Sequence, residues 1–79
     1  AEINRQDLAE GLDIVLVLNE KTGFLKSNGE ARRALSENSI SVNKEKVAEA
    51  FQLTVNDLIN HQFVLLQRGK KNYFVVRVI

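Results

Sequence analysis

The chain has 79 residues, of which 44% are apolar, and a formal net charge of +1. This length allows one small domain, and the apolar content is that of a globular chain rather than a disordered one. The absence of cysteine excludes disulfides and thiolate metal sites and is typical of cytoplasmic proteins, while no apolar run approaches the roughly 20 residues of a membrane span.

The N-terminal quarter combines a polar lead-in with an ambiguous apolar segment. The chain opens without Met, so we expect residues 1–11 to be a linker from an upstream domain and residues 12–79 to be the folded domain. The β-branched residues within 12–18 favour a strand, whereas Asp13 is well placed to cap a helix, and periodicity does not separate the two. We favour a helix from about residue 13 to residue 22, closed by Gly23.

The clearest local signal is a capped helix. Ser27 and Glu30 form an S-x-x-E capping box, in which each side chain accepts a hydrogen bond from a free backbone N–H. An apolar stripe with helical spacing follows at Ala31, Ala34 and Leu35. The helix is predicted to end near Glu37, because Asn38 tolerates the left-handed conformation that closes a helix.

Beyond this helix the apolar period changes to two. Ile40 and Val42 predict a strand, followed by a tight turn at Asn43-Lys44. Residues 48–53 predict a short helical turn, whereas residues 63–67 and 73–78 have the strongest strand patterns and are joined by a hairpin tip. The predicted fold class is α+β, with two short helices in a helix-turn-helix on a mainly antiparallel sheet of about four or five strands.

The sequence contains none of the common motifs of enzyme active sites. His61 is the single histidine and has no clustered carboxylates beside it, so we interpret it as a surface residue rather than a metal ligand. No serine has a G-x-S-x-G context, and no glycine-rich phosphate loop is present. We therefore expect no catalytic residue, cofactor site or metal site in this chain.

The charge distribution is more informative than the net charge. Residues 1–20 hold five acidic residues and one arginine, a net charge of −4, whereas residues 21–79 hold ten Lys or Arg and five acidic residues, a net charge of +5. The basic residues cluster at element ends: Lys26, Arg32 and Arg33; Lys44 and Lys46; Arg68, Lys70 and Lys71. These clusters predict a surface that binds a polyanion. The alternative is charge that solvates the surface and protects sheet edges.

Two features suggest how a polyanion is held. The helix that begins at Ser27 offers free N–H groups and a positive dipole end to a phosphate. Arg33 can pair with acidic residues on its own helix, whereas Arg32 has no such partner there, so Arg32 is the predicted phosphate ligand. Tyr73 is the stacking candidate, and the four phenylalanines are assigned to the core: Phe24, Phe51, Phe63 and Phe74. With so few aromatics, recognition of a structured RNA by backbone and shape is favoured over rows of stacked bases.

Three segments resemble a known family. SNGEARRAL at residues 27–35 with ISVNKEKV at 40–47 is similar to the alpha-L RNA-binding motif, a helix-turn-helix with a small sheet. LQRGKKNY at 66–73 resembles the ending of bacterial tyrosyl-tRNA synthetases, and EINRQDL at 2–8 resembles the linker before their C-terminal domain. Two residues depart from the motif: Asn28 stands where Lys or Arg is common, and Lys44 replaces the usual turn glycine.

The resemblance implies a domain that clamps tRNA near its long variable arm and anticodon stem, behind a catalytic region that uses ATP and magnesium. It also implies a cytoplasmic, homodimeric parent enzyme, with the isolated domain monomeric. The residues that the resemblance implies for RNA binding are Lys26, Arg32, Arg33, Lys44, Lys46, Arg68, Lys70 and Lys71. Ser27 at the helix cap and Tyr73, the stacking candidate, complete the predicted set of ten. Reversal of Arg32 and Lys70 to Glu is expected to weaken tRNA binding.

Two alternatives stay open at this point. One is the same fold on another RNA-modifying or ribosome-associated protein, such as a pseudouridine synthase. The other is a structural protein–protein module in which the basic residues only solvate the surface.

Overall fold

The structure is a computed structural model that describes residues 2–79, so the lead-in prediction for Ala1 falls outside the described residues. Residues 2–79 form seven strands, two α-helices and two 3-10 helices. The strands are β1 Glu2–Ile3, β2 Leu12–Asp13, β3 Ile40–Val42, β4 Glu45–Lys46, β5 Gln52–Leu53, β6 Phe63–Arg68 and β7 Asn72–Val78. The α-helices are α1 Ile14–Leu18 and α2 Asn28–Ser36, and the 3-10 helices cover Arg5–Leu8 and Val55–Asp57. The predicted α+β class is confirmed.

A mixed sheet, called the main sheet below, organises the molecule. In residues 2–79 it has five strands in the order β1-β7-β6-β3-β4, and a separate two-stranded ladder joins β2 to β5. All pairs in the main sheet are antiparallel except β1 with β7, which is parallel. The predicted mainly antiparallel sheet is therefore confirmed.

One face of the main sheet packs against the helices. Val64 and Leu66 on β6 lie opposite Val76 and Phe74 on β7, and the first three of these are fully buried. The helices contribute their own apolar stripes to this core, including Ala31 and Ala34 from α2 at 0% exposure. Burial of each large apolar side chain contributes about 1.5–3 kcal/mol, so this single layer supplies most of the stability of a chain without disulfides.

Helix α1 is shorter than the predicted span of residues 13–22. Asp13 caps it as expected, because its Oδ1 accepts a hydrogen bond from the Val15 N–H at 2.9 Å. The helix ends at Leu18. Beyond it the chain forms a turn, in which the Thr22 hydroxyl donates to the Val17 carbonyl at 2.7 Å. The prediction that Gly23 directly closes the helix is wrong: Asn19 is the cap, and Gly23 (φ +72°) lies beyond it in the turn.

The two predicted turns with left-handed residues are confirmed. Asn38 follows α2 with φ 59°, and Asn43 and Lys44 have φ 51° and 73° between β3 and β4. Positive φ at both central residues is the geometry that matches the twist of a two-residue hairpin. The Asn43 side chain also accepts the Leu65 N–H at 2.9 Å and donates to the Asp57 carbonyl, so it ties the hairpin to β6.

The segment between β4 and the last hairpin departs from the prediction. The helical turn expected over residues 48–53 is a single turn, in which the Phe51 N–H donates to the Ala48 carbonyl at 3.0 Å. Strand β5 follows and pairs with β2, with Leu53 opposite Leu12 and fully buried. This tertiary pairing, which local propensity does not contain, turns the segment into a strand.

Candidate nucleic-acid interface

A groove of about 390 Å³ opens at the end of the main sheet where β6 and β7 meet the start of α2. It is called the tip groove below. Its lining comes from two separate stretches of chain: the start of α2 gives Phe24, Leu25, Lys26 and Glu30, and the β6–β7 hairpin gives Arg68, Lys71, Asn72 and Tyr73. The groove therefore exists only in the folded protein, because its walls are more than 35 residues apart along the chain.

The β6–β7 hairpin is held against the helical layer by its turn. Gly69 has φ +67°, a conformation that costs glycine little, and its N–H donates to the Ser39 carbonyl at 2.8 Å. Arg68 lies opposite Asn72 at the end of the strand pair and Ile40 on the neighbouring β3. This anchoring carries Arg68 and Lys71 to the side of the molecule where α2 begins.

The Ser27–Glu30 pair caps α2, but with one difference from the predicted capping box. The Glu30 N–H donates to Ser27 Oγ at 3.0 Å as expected, whereas Glu30 Oε1 accepts from the Lys26 N–H at 2.8 Å rather than from Ser27. The other carboxylate oxygen, Oε2, lies 3.3 Å from Arg68 Nη1. Glu30 therefore links the helix start to the sheet.

These contacts favour the ionised form of Glu30. The Lys26 backbone N–H is the main cause, and the hydrogen bond and charge of Arg68 add to it, so the pKa of the carboxyl is lowered from its ordinary value of 4.5. The tip groove then carries three cations, Lys26, Arg68 and Lys71, against one carboxylate, a net charge of +2. A groove with a net positive charge attracts an anion, although the Glu30 carboxylate neutralises part of that charge.

Two aromatic residues, Phe24 and Tyr73, line the groove. The Phe24 and Phe74 rings stack with centroids 5.4 Å apart and an interplanar angle of 27°. Tyr73 is 54% exposed at the rim, which makes its ring available to a ligand. Phe24, Phe51 and Phe74 pack against the core as predicted. The core assignment of Phe63 is wrong, because Phe63 is 36% exposed on the other face of β6.

The structure brings four of the ten predicted RNA-binding residues into the tip groove: Lys26, Arg68, Lys71 and Tyr73. Ser27 and Lys70 adjoin this set in the chain. The Lys44 turn lies at the opposite end of β3 from the groove, and Lys46 lies on the edge strand β4.

The two arginines of α2 lie apart from the groove lining. Arg32 Nε lies 3.4 Å from Glu49 Oε2, in an exposed ion pair with the segment after β4. Such a pair is worth about 0.2–1 kcal/mol, so a phosphate can compete for Arg32. Arg33 is exposed, and within residues 2–79 Glu30 pairs with Arg68 instead of with Arg33.

Sequence reasoning missed four groove residues: Phe24, Leu25, Glu30 and Asn72. The position of Glu30 three residues after Ser27 predicts only that it caps the helix. Its contact with Arg68, 38 residues away in the sequence, cannot be predicted from that spacing. The exposure of Phe63 did have a signal, since Phe63 alternates with Val64 and Leu66, which are buried.

A protein-family model shows to which family the chain belongs. The sequence model of the tyrosine–tRNA ligase SYY-like C-terminal domain matches residues 2–76, nearly the whole chain. The chain belongs to this family.

Curated relatives agree with the assignment. The chain is 76% identical over its full length to the tyrosine–tRNA ligase of Flavobacterium johnsoniae and 72% identical over 99% of its length to that of Flavobacterium psychrophilum. It is 40% identical over 95% of its length to the tyrosine–tRNA ligase of Bacteroides fragilis. The chain spans 18% of the length of each of these relatives, in agreement with a match to a single C-terminal domain.

Residues 2–79 lack two features, a cluster of metal-binding side chains and a membrane-spanning helix. No cluster of three or more His, Cys, Asp or Glu side chains there is arranged to hold a metal ion. No helix in the same part of the chain has the length and hydropathy to cross a membrane.

Proposed function

We propose that this domain binds tyrosine tRNA through phosphate and shape contacts, docking the variable arm and anticodon stem so that a catalytic domain elsewhere in the protein can aminoacylate it. Family membership supports tRNA as the ligand. The observation that carries the proposal is the tip groove, in which tertiary structure brings Lys26 from the start of α2 together with Arg68 and Lys71 from the β6–β7 hairpin.

Phosphate recognition suits the chemistry of this groove. Lys26 and Lys71 are exposed ammonium groups, and Arg68 is a guanidinium already oriented by Glu30. Such donors position a nucleic acid without reading its sequence, so tRNA shape selects the ligand. If each of the three cations neutralises one phosphate, the logarithm of the binding constant falls with the logarithm of salt with a slope of about −2 to −3.

The remaining assignments belong to the same proposal. Catalysis, with ATP and magnesium, is placed in the catalytic region of the parent synthetase, and the domain itself contributes only tRNA contacts. The parent is a cytoplasmic homodimer, and the domain alone is monomeric. Further contacts with the RNA, called outer contacts, are made outside the groove by Lys44, Lys46, Arg32 and Arg33.

The first prediction compares two charge reversals in the full-length protein. Lys71→Glu removes a groove cation and is expected to weaken binding of a tyrosine tRNA transcript and to reduce the salt slope by about 1. Lys21→Glu changes the net charge equally but affects a lysine paired with Asp7 at 3.4 Å, outside the groove lining. It is expected to leave the slope unchanged. The measurement is filter binding over a series of salt concentrations.

Two outcomes contradict the proposal. One is tRNA binding by the wild-type protein that does not depend on salt, which indicates a module without phosphate contacts. The other is an equal loss in both variants, which indicates a general effect of net charge rather than a groove.

A further inference from the structure

Strand β7 has one edge that is only partly paired. On one side its residues pair with β6 from Asn72 to Arg77. On the other side β1 pairs only with Arg77 and Val78. Within residues 2–79, no strand therefore lies beside residues 72–76 on the β1 side of β7. This stretch of β7 is called the open edge below.

Two residues of the open edge direct their backbone hydrogen-bonding groups away from β6. In an extended strand, the N–H and C=O groups of successive residues point to opposite sides. The Ile79 N–H donates to the Ile3 carbonyl at 2.9 Å on the β1 side, whereas the Val78 N–H donates in the other direction at 2.7 Å, to the residue before β6. The same alternation directs the N–H and C=O groups of Val75 and Tyr73 to the open edge.

The open edge has a sequence that favours pairing with another strand. Residues 73–76 read YFVV, without a charge or a proline, and these residue types are enriched in strands. Charged side chains and proline are common protection of an exposed edge. Val75 is 57% exposed and Tyr73 is 54% exposed. An edge with these properties is expected to be covered by a further strand.

The direction of β1 determines which segment reaches the open edge. β1 is parallel to β7, with Glu2 opposite Arg77. Residues upstream of β1 that keep this register run beside residues 72–76. The first residue upstream of Ala1 then lies opposite Val75, and the third lies opposite Tyr73. Both positions share the face on which the Glu2 and Arg77 side chains pair at 3.9 Å.

Relatives of this chain are long enough to supply such a segment. The family model that matches the chain is that of a C-terminal domain, and the chain spans 18% of the length of each relative described above. Proteins of this family therefore continue upstream of the matched domain. A segment joined directly to β1 has an effective concentration on the order of millimolar. A strand from a second copy has to bind from free solution without this advantage.

We propose that the three residues upstream of Ala1 extend β1 along the open edge in the full-length protein. Their backbone groups pair with those of Val75 and Tyr73. The polypeptide then enters the domain beside Tyr73, which also lines the tip groove. A strand, rather than a free tether, thereby holds the upstream region next to this groove. The inference rests on the proposed function only for a catalytic region upstream and uses no contact with RNA.

Disulfide trapping in the full-length protein tests this register. One variant combines cysteine at the first residue upstream of Ala1 with Val75→Cys, after any cysteines elsewhere in the protein are replaced by serine. Opposed Cα atoms of neighbouring strands lie about 5 Å apart, within the range of a disulfide. We expect most chains to form an intramolecular disulfide on mild oxidation. Mass spectrometry of the tryptic peptide that covers residues 72–77 detects it.

Leu65→Cys in place of Val75→Cys is the matched control. Leu65 lies opposite Val75 on β6 and shares its face, but it is one strand further from the upstream segment. The distance of about 10 Å exceeds the reach of a disulfide, so no crosslink is expected. Equal crosslinking of both pairs, or of neither, overturns the proposal. Covalent dimers formed by Val75→Cys alone also overturn it, because they indicate a second copy at the open edge.

Hydrogen exchange of the unmodified full-length protein is a second measurement. The Val75 and Tyr73 N–H groups are expected to exchange about tenfold or more slowly than exposed amides, because the strand pair has to open first. Exchange at the rate of exposed amides contradicts the proposal. Neither measurement contains tRNA, so their failure leaves salt-dependent tRNA binding as support for the proposed function. Failure of tRNA binding likewise leaves the crosslink unaffected.

Discussion

Glu30 shows how one side chain can serve both stability and binding. It accepts the Lys26 N–H at 2.8 Å and contacts Arg68 at 3.3 Å, so it joins the start of α2 to the end of β6. The same carboxylate lies among the cations of the tip groove. It therefore orients Arg68 for a phosphate and at the same time competes with that phosphate for the guanidinium.

We expect Glu30→Gln to raise tRNA affinity and lower stability. The amide keeps the shape of the side chain and can still accept the Lys26 N–H, but it releases Arg68 and makes the groove more positive. Filter binding of a tyrosine tRNA transcript to the full-length protein measures the first effect. Weaker binding in the variant indicates that orientation of Arg68 matters more than its release.

The stability effect of Glu30 depends on pH in a definite direction. Because the folded state lowers the pKa of Glu30 from 4.5, the ionised side chain stabilises the fold fully above that value. This contribution is lost as the pH falls below 4.5 and the carboxyl takes up a proton. Urea denaturation of wild-type and Glu30→Gln chains at neutral pH and at acidic pH should show a difference that shrinks in acid. A constant difference contradicts it.

At the scale of elements, Lys44 in the β3–β4 turn supplies a positive charge but has a backbone conformation that is unfavourable for lysine. Lys44 has φ 73°, in the left-handed region that glycine adopts readily and other residues do not. The turn is nevertheless firmly placed, because the Asn43 N–H donates to the Leu65 carbonyl at 2.8 Å. Lysine here gives a cation to the proposed outer contacts at a cost in turn stability.

Lys44→Gly is expected to stabilise the fold by about 0.5–1 kcal/mol, because relief of about 1–2 kcal/mol of left-handed strain exceeds the roughly 0.4–1 kcal/mol that the greater flexibility of glycine costs in the unfolded chain. The same variant lowers the salt slope of tRNA binding by about 1 if Lys44 contacts a phosphate. Urea denaturation and filter binding measure the two effects separately. Lys44→Ala, which keeps the strain and removes the charge, is the matched control.

At the scale of the whole molecule, the N-terminal segment is packed into the domain that follows it. Strand β1 pairs in parallel with β7, and the Arg5 N–H donates to the Ile79 carbonyl at 2.7 Å. Ile3 and Leu8 are 2% and 1% exposed within the core. The first and last strands of the described chain therefore lie side by side at one edge of the main sheet.

This packing leads to a prediction about the boundary expected at residue 12. Leu8→Ala is expected to destabilise the chain by about 2–5 kcal/mol, because it leaves a cavity in the core. In a domain whose total stability is about 5–15 kcal/mol, such a loss is visible in urea denaturation. Gln6→Ala, at an exposed position on the same 3-10 helix, is the control. An equally small effect of both variants supports residues 1–11 as a linker outside the folding unit.

The sequence by itself determined features that depend on neighbouring residues. Helix α2 with its Ser27 cap, the left-handed residues Asn38 and Asn43, and the last two strands follow from local spacing and turn chemistry. The family also followed from short motifs, because their residue order is specific. These features need no information about distant parts of the chain.

Only the tertiary structure decided the features that join distant segments. Strand β5 forms because β2 pairs with it, and α1 stops at Leu18 where Thr22 bonds back to its carbonyls. The tip groove and the Glu30–Arg68 contact likewise join parts of the chain that sequence spacing does not relate. Burial and strand pairing bring such segments together through non-local packing, which local propensity does not encode.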